Sequence, residues 1–345
     1  MRRFSKIGIA IAAMSLVITG CGSNNDNKDK GTDGTAKSDV KVGLAYDIGG
    51  RGDQSFNDAA AAGLDKAKKD FGVTSSESEA SPDEAEAAKE DRLIQLAEGG
   101  YNPVIAVGFA YADAVKAVAP QYPDVSFGLI DSTDATGPNV ANLVFAEEQG
   151  SFLVGAAAAL KSKSGVIGFI GGVDVPLIHK FEAGYEAGAK AVNPDITIKT
   201  QYLTSPPDFT GFNDPAKGKT AAEGMLDAKA DIIYAAAGGS GGGVFEAAKA
   251  AGAKAIGVDS DQAKTADPKV ADVIMTSMLK KVDVAVYDFI KSFVDGKPLT
   301  GTQTFDLKAG GVDYSTTGGQ VDDITSKLDD YKKQIIDGTI TVPSE

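Results

Sequence analysis

The sequence predicts an α/β protein with two units, each built on a doubly wound parallel sheet. Short apolar runs alternate along the chain with longer Ala-rich segments of helical period, and this alternation is typical of parallel sheets with helices on both faces. The folded part of the chain is about 300 residues long, which favours two domains. Polar residues follow the apolar runs, where ligands of such sheets usually lie.

Nine apolar runs are the strand candidates: VKVGLAY, PVIAVGF, VSFGLID, VANLVFA, GVIGFIGG, TIKTQYL, DIIYAAAG, KAIGVDSD and VIMTSML. The helix candidates lie between them, at 56–71, 82–98, 152–161, 180–192, 219–228, 244–251 and 281–295. The first unit ends and the second begins near FAEEQGSFLVGAAAAL. The strand and helix in VIMTSMLKKVDVAVYDFIKSFVDGKP would complete either sheet.

The N-terminal residues have the form of an export signal. Three basic residues precede an apolar run that is shorter than the ~20 residues needed to span a bilayer, and the run ends in VITGC. This ending resembles the lipobox of bacterial lipoproteins, so we expect a signal peptide at 1–21 and a lipid on Cys21. A buried structural cysteine is the alternative. Residues 22–39 are polar and predict a disordered tether, and the folded body begins near Val40.

Composition excludes several classes of partner. The chain carries 34 Lys and Arg against 48 Asp and Glu, a net charge of −14. An acidic surface disfavours nucleic acid and anionic lipid headgroups, so we expect membrane contact through the N-terminal lipid only. Because one acyl chain binds a membrane marginally, stable anchoring requires several chains. With a single cysteine, no internal disulfide is possible, and apolar cores must stabilise the protein.

The candidate site residues follow the predicted strands. In open α/β sheets a ligand lies beyond the carboxyl ends of the strands, where this sequence places Asp47, Asp131, Asp259, Asp261, Lys280 and the glycine loop with Gly239 and Gly241. Glycines let a ligand approach the backbone, and a carboxylate can accept hydrogen bonds from a vicinal diol such as ribose. Each feature has an alternative role. The glycine loop could serve only to make a tight turn, the aspartates could cap helices or lie in solvent, and Lys280 could be an exposed lysine.

Cofactor and metal chemistry find little support in the sequence. No register of GGSGGGV satisfies the dinucleotide pattern G-x-G-x-x-G, so we expect no nucleotide cofactor. His179 is the only histidine, so the sequence has too few histidines for a metal cluster and offers only one candidate base for a Ser-His-Asp site. A pair of carboxylates for glycosidic chemistry stays open as an enzymatic alternative, although we expect a protein that is not an enzyme.

Five ordered motifs carry a resemblance to a known family. The stretches YDIGGRGDQSFNDAAAAGL, EEQGSFLVGAAAAL, GGSGGGVFEAAKAAG, IGVDSDQ and MTSMLKKVDVAV resemble the basic membrane protein family of ABC-transporter substrate-binding lipoproteins, whose best understood members are purine nucleoside receptors. The resemblance implies a type I periplasmic-binding-protein fold, in which two lobes joined by three crossovers clamp the ligand. It places the N-terminal lobe at 40–145 plus 276–299 and the C-terminal lobe at 146–275 plus 300–345.

The same resemblance suggests roles for particular residues. Phe56 and Asn57 fall on the family positions for stacking on the base and for contacting it, and Asp47 and Asp131 fall on polar positions of the first lobe. Phe212, Phe209 or Phe181 would supply the aromatic side chain of the second lobe. Phe56 has core packing as its alternative role.

The function expected from this resemblance is that of a monomeric, lipid-anchored receptor on the extracytoplasmic face of the cell membrane. It would capture a nucleoside, with a purine nucleoside as the leading candidate, and deliver it to the permease subunits of an ABC importer. Two other readings stay open: a surface adhesin or interaction lipoprotein on the same fold, and a receptor for another ribose-bearing or sugar ligand.

The lipobox interpretation predicts that Cys21→Ser leaves the protein without acyl chains. The variant should then move from the detergent phase to the aqueous phase in a detergent partitioning experiment, whereas the wild type stays in the detergent phase. Equal partitioning of the two proteins would contradict this interpretation.

Overall fold

The computed structural model describes residues 38–81 and 84–345. Cys21, the predicted signal peptide and all but the last two residues of the predicted tether lie outside the described residues. No helix in the described ranges is both long enough and apolar enough to cross a membrane.

The described residues form twelve strands and ten α-helices. The strands are β1 (Lys41–Ile48), β2 (Thr74–Ala80), β3 (Val104–Ala106), β4 (Phe127–Ile130), β5 (Val140–Phe145), β6 (Val166–Val173), β7 (Thr197–Thr204), β8 (Ile232–Ala236), β9 (Lys254–Asp259), β10 (Ile274–Lys280), β11 (Gly301–Phe305) and β12 (Val312–Tyr314). The helices are α1 (Phe56–Phe71), α2 (Glu86–Glu98), α3 (Ala112–Val118), α4 (Glu147–Lys161), α5 (Pro176–Val192), α6 (Pro215–Asp227), α7 (Gly241–Ala251), α8 (Gln262–Thr265), α9 (Val282–Val294) and α10 (Thr325–Ile336).

The strands form two six-stranded sheets with matching topology. The first sheet has the order β2-β1-β3-β4-β5-β11 and the second has the order β7-β6-β8-β9-β10-β12. All pairs are parallel except β10 with β12. In each sheet the chain starts next to the edge strand and reverses direction once, which is the doubly wound arrangement with a ligand crevice at the reversal point. The predicted two parallel-sheet lobes are confirmed.

The chain passes between the lobes three times, after β5, after β10 and after β11, as the resemblance implied. The lobe boundaries differ from the predicted ones, however. Strand β10 lies in the second sheet, although 276–299 was assigned to the first lobe, and β11 lies in the first sheet, although 300–345 was assigned to the second. Helix α9 does pack on the first lobe, where Phe289 and Ile290 are buried against the core around Leu64. Strand pairing therefore moves the crossover to the end of β10.

Burial explains which strands the sequence revealed. The central strands β1, β4 and β8 are apolar along nearly their whole length because helices cover both faces. The edge strands β2 (TSSESEA) and β7 are polar and partly exposed, and β11 (GTQTF) is similar. Strands β2, β11 and β12 were not among the sequence candidates, because an edge strand needs no apolar run.

Helices α4 and α5 of the second lobe touch through their backbones. A Cβ atom on Gly188 would lie 1.9 Å from the carbonyl oxygen of Phe152, and one on Gly184 would lie 2.2 Å from that of Glu148. A Cβ on Gly155 would meet the carbonyl oxygen of Tyr185 at 2.1 Å. Glycine is therefore required on both helices for this close crossing. The crossing holds α4, the first element after the first crossover, against α5 of the second lobe.

The close crossing predicts the effect of Gly188→Ala. Although alanine favours a helix over glycine, its methyl group has no space against Phe152, so the helices must separate. We expect the free energy of unfolding to fall by about 1–3 kcal/mol, measured by urea denaturation.

Gly224→Ala is the matched control, because Gly224 is an exposed residue inside α6 with no atom within 4 Å of the added methyl group. Here only the helix propensity changes, and the free energy of unfolding should rise by about 0.5–1 kcal/mol. Equal effects of the two substitutions would contradict the backbone contact.

Candidate ligand-binding site

A cavity lies between the lobes, at the carboxyl ends of both sheets. It contains about 570 Å³ of space, part of it open to solvent. The lobes meet around it, since Ser260 Oγ donates a hydrogen bond to the carbonyl oxygen of Ser55 and Gln262 Nε2 donates to that of Gln54. Its lining residues are Asp47, Ile48, Asp53, Phe56, Asn57, Gly108, Phe109, Asp131, Leu177, Ile178, Phe181, Phe212, Ala236, Gly238, Val258, Asp259 and Lys280.

Two strand-end acids lie at equivalent places in the two lobes. Asp131 follows β4 with φ of 69°, and Asp259 ends β9 with φ of 61°. Left-handed backbone is costly for residues other than glycine and clusters at functional sites. Both side chains line the cavity, and burial raises the pKa of both carboxyl groups. The two turns thus direct carboxyl groups from opposite lobes toward one space.

Lys280, the last residue of β10, is buried between carboxylates. It is 2% exposed, and its Nζ lies 2.6 Å from Asp131 Oδ2 and 3.2 Å from Glu147 Oε1. Burial alone would lower its pKa, but Asp131, Glu147 and Asp259 together raise it above the usual value. The ammonium group therefore stays charged, and it links the end of β4 to the start of α4 across the first crossover.

Three phenylalanine rings surround this ammonium group. The Nζ atom lies 5.1 Å from the ring centroid of Phe56, 5.0 Å from that of Phe145 and 5.5 Å from that of Phe181. These distances fall within the range of cation–π attraction. Phe56 and Phe181 also line the cavity, so apolar rings lie next to the charged groups.

A second aromatic group comes from loops of both lobes. Phe109 of the first lobe contacts Phe212 of the second edge-on, with 6.5 Å between ring centroids, and contacts Phe209 at 6.0 Å. Gly172 makes room for Phe212, because a Cβ there would lie 2.4 Å from the ring. Phe212 lines the cavity and Phe209 does not, so Phe212 is the residue of this loop that reaches the site.

The side chain of Asn57 is held by the protein itself. Its Oδ1 accepts a hydrogen bond from the backbone N–H of Asp47 at 3.0 Å, and its Nδ2 donates to the carbonyl oxygen of Ile48 and to Asp53 Oδ2. The residue lines the cavity, as expected. Because these contacts engage both ends of the amide, its geometric effect is to position the backbone that carries Asp47.

Asp47 and Asp53 are acids at the same end of the cavity. Burial raises the pKa of Asp47 to about 6, against the hydrogen bond from the Ile48 N–H. Burial also raises the pKa of Asp53 to about 6, although the backbone N–H groups of Asn57, Ser55 and Asp58 donate to its carboxylate. Both carboxyl groups therefore change charge near pH 6.

Eight of the predicted site residues line the cavity: Asp47, Phe56, Asn57, Asp131, Phe181, Phe212, Asp259 and Lys280. Gly239, Gly241 and Asp261 do not. The cavity side of the glycine loop belongs to Gly238, while Gly239 faces Asn213 and Gly241 faces Ala235 and Phe245. Asp261 turns away to pair with Lys264 at 2.7 Å and to accept a hydrogen bond from Thr317.

Sequence reasoning missed three residues that shape the site. Asp53 precedes α1 inside a stretch already noted for its polar residues, and an acid just before a helix is a signal worth following. Phe109 is the last residue of the predicted strand PVIAVGF, where the strand-end rule applies. Glu147 does not line the cavity, and no sequence signal distinguishes it from an ordinary acid in the first turn of a helix.

The described residues contain no cluster of side chains suited to a metal ion. Across residues 38–81 and 84–345, no group of three or more His, Cys, Asp or Glu side chains could hold a metal ion. His179 pairs with Asp174 on the surface, with the imidazole side chain 42% exposed.

Comparison with known proteins identifies the family to which this fold belongs. Residues 40–345 match the family Bmp, described as ABC transporter substrate-binding protein PnrA-like. The ABC transporter nucleoside-binding protein BmpA of Lactococcus lactis subsp. cremoris is 36% identical, over 98% of this chain and 99% of that protein. Basic membrane protein A of Borreliella burgdorferi is 33% identical, over 99% of this chain and 96% of that protein.

A solved structure gives the same assignment. The ABC transporter system solute-binding protein from Aeropyrum pernix K1 superposes with a TM-score of 0.77 at 30% identity, covering 89% of this chain and 94% of that chain. This match confirms the predicted type I periplasmic-binding-protein fold. With the family match over residues 40–345 and the two relatives, it establishes that this chain belongs to the PnrA-like family of ABC transporter substrate-binding proteins, as its resemblance to basic membrane proteins predicted.

Proposed function

We propose that this protein is the receptor of an ABC importer and captures a nucleoside, specifically a purine nucleoside, in the cavity between its lobes. The observation that carries the proposal is the pairing of flat apolar rings with strand-end acids in one cavity. A base can stack on an aromatic ring, while ribose hydroxyl groups can donate hydrogen bonds to carboxylates. A relative whose name describes nucleoside binding supports the same ligand class.

The charges of the cavity support a nucleoside over a nucleotide. Four carboxyl groups and one ammonium group line it, and Glu147 contacts that ammonium group from behind. A phosphate group would add negative charge next to buried acids, which Coulomb repulsion disfavours. A neutral ligand with several N–H and O–H donors suits the cavity better.

The aromatic residues support a large base. Phe56 and Phe109 come from the first lobe, and Phe181 and Phe212 come from the second. Rings on both lobes would contact the two faces of a base only when the lobes are closed, so ligand contacts would stabilise the closed state. We propose that the closed form is delivered to the permease and that the protein binds its ligand without catalysing a reaction.

We also propose that the protein works outside the cytoplasm, anchored by a lipid on Cys21. The lipobox-like VITGC sequence supports this anchor. About 18 polar residues would separate the lipid from the folded body, which is a length of flexible tether that lets the receptor reach a membrane-embedded partner.

Isothermal titration calorimetry of the soluble fragment starting at Val40 tests the proposal. Guanosine or adenosine should bind, and the corresponding 5′-monophosphate should bind at least tenfold more weakly, because the phosphate meets the acidic cavity. A receptor that binds neither nucleoside, or binds both monophosphates equally well, would refute the proposed ligand.

The stacking role predicts that Phe56→Ala weakens nucleoside binding by ~1–3 kcal/mol and leaves the fold intact. Phe209→Ala is the matched control, because Phe209 lies on the same side of the cleft as Phe212 but does not line the cavity. We expect nearly unchanged affinity for that control in the same titration. A large loss of thermal stability with unchanged affinity would instead assign Phe56 to core packing.

The raised pKa of Asp47 predicts pH-dependent binding. If its ionised carboxylate accepts hydrogen bonds from the base, affinity should be constant above about pH 7 and fall as the pH drops through about 6. Well below pH 6, the affinity should fall by about tenfold per pH unit for each proton that the free protein takes up. Titrations between pH 5 and pH 8 measure this slope, which Asp47→Asn should reduce.

The same raised pKa has the opposite effect on the stability of the ligand-free protein. Because an aspartate normally titrates near 3.8 and Asp47 titrates near 6, its ionisation opposes folding above pH 6, and this cost vanishes below about pH 4. Asp47→Asn should therefore be more stable than wild type by up to about 3 kcal/mol at pH 7 and by only about 0.5 kcal/mol at pH 4.

A further inference from the structure

The two strand-end acids are each held by a group from the opposite lobe. Asp131 belongs to the first lobe, and its Oδ2 accepts a hydrogen bond from Lys280 of the second lobe at 2.6 Å. Asp259 belongs to the second lobe, and its Oδ2 accepts one from Ser55 Oγ of the first lobe at 2.6 Å. One oxygen of each acid therefore accepts a hydrogen bond across the cleft in this arrangement of the lobes.

Ser55 has an unusual role for a serine at the start of a helix. It is the N-cap residue of α1, where a serine hydroxyl normally accepts a hydrogen bond from the N–H of the second or third helical residue. Its side chain makes no such bond. Asp53 takes this place, because its carboxylate accepts hydrogen bonds from the N–H groups of Asn57 at 2.8 Å and Asp58 at 3.0 Å.

This exchange of roles frees the Ser55 hydroxyl to act across the cleft. Asp53 also accepts a hydrogen bond from the Ser55 N–H at 2.9 Å, which fixes the serine backbone. Ser55 is fully buried, and its hydroxyl donates to Asp259 Oδ2 with a longer contact to the carbonyl oxygen of Val258 at 3.3 Å. The hydroxyl thus points into the second lobe, away from its own helix.

One oxygen of Asp259 is thereby committed, and the other is left for a ligand. None of the described residues donates a hydrogen bond to its Oδ1, and the side chain lines the cavity. A carboxylate held by one oxygen has a fixed plane, so the direction in which Oδ1 accepts hydrogen bonds is fixed as well. Without Ser55, the carboxylate could rotate about its side-chain torsions.

We propose that Ser55 is a positioning residue that couples lobe closure to recognition of the ribose diol through Asp259. This inference rests on the proposed nucleoside function and extends it to the choice between ribose and 2′-deoxyribose. A ligand with both hydroxyl groups gains from a carboxylate oriented by closure. A 2′-deoxy ligand lacks one of these donors and gains less.

Ser55→Ala tests this coupling, and Ser260→Ala is the matched control. Ser260 Oγ donates a cross-lobe hydrogen bond to the carbonyl oxygen of Ser55 at 2.9 Å, so its loss weakens closure at the same place. That hydroxyl donates its hydrogen bond to the Ser55 carbonyl oxygen and not to the Asp259 carboxylate. The pair of variants therefore separates the orientation of Asp259 from the strength of closure.

The measurement is the affinity of wild type, Ser55→Ala and Ser260→Ala for guanosine, 2′-deoxyguanosine, adenosine and 2′-deoxyadenosine by calorimetry. We expect Ser55→Ala to lose at least tenfold in affinity for the ribonucleoside and clearly less for its 2′-deoxy analogue, so that the ratio of the two affinities falls at least threefold. Ser260→Ala should weaken both ligands alike and keep the ratio.

The outcomes separate the two proposals. If wild type binds neither nucleoside, the proposed function fails and this inference fails with it. If wild type binds and Ser55→Ala keeps the wild-type ratio, or Ser260→Ala changes the ratio as much, the positioning role of Ser55 is wrong while the receptor function stands. Melting curves of the ligand-free variants establish that all three proteins are folded.

Discussion

The buried ion pair of Lys280 with Asp131 and Glu147 is the interaction on which the architecture of the site depends. It joins the end of β4, the start of α4 and the end of β10, so it ties both lobes to two of the three crossovers. Removing one partner of a buried pair typically costs ~3–5 kcal/mol, since the remaining charge is left uncompensated. The cluster contains more carboxylates than ammonium groups, and its excess acceptors suit a ligand that brings donors.

The alternation of apolar runs was sufficient to predict the class of fold, because buried strands and amphipathic helices leave different periods in a sequence. The partners of β10 and β11 could not be predicted. A crossover between the lobes follows each of these strands, and nothing in a strand of seven or five residues specifies which strand it pairs with. The polar edge strand β2 was missed for a related reason, since one side of it pairs with no strand of the described chain.

Most of the candidate site was predictable because acids at strand ends must converge where parallel sheets face each other. The sequence could not show which of Asp53 and Ser55 caps α1, because both residues are good caps and loop geometry decides between them. Nor could it show that Gly238, and not Gly239 or Gly241, faces the cavity. Backbone direction changes by residue in such a turn, so a shift of one position moves a residue from the site to the packing behind it.

The exchange of C-terminal strands between the lobes constrains how the protein is made. The first sheet is complete only when β11 pairs with β5, and its helix layer is complete only when α9 packs on the core around Leu64. Residues 40–145 alone therefore leave one edge of β5 unpaired and this core uncovered. Domains of a growing chain generally fold in order from the N-terminus. This first lobe cannot reach its native state until residue 305 has emerged from the ribosome, and no single cut in a linker releases either lobe as one continuous fragment.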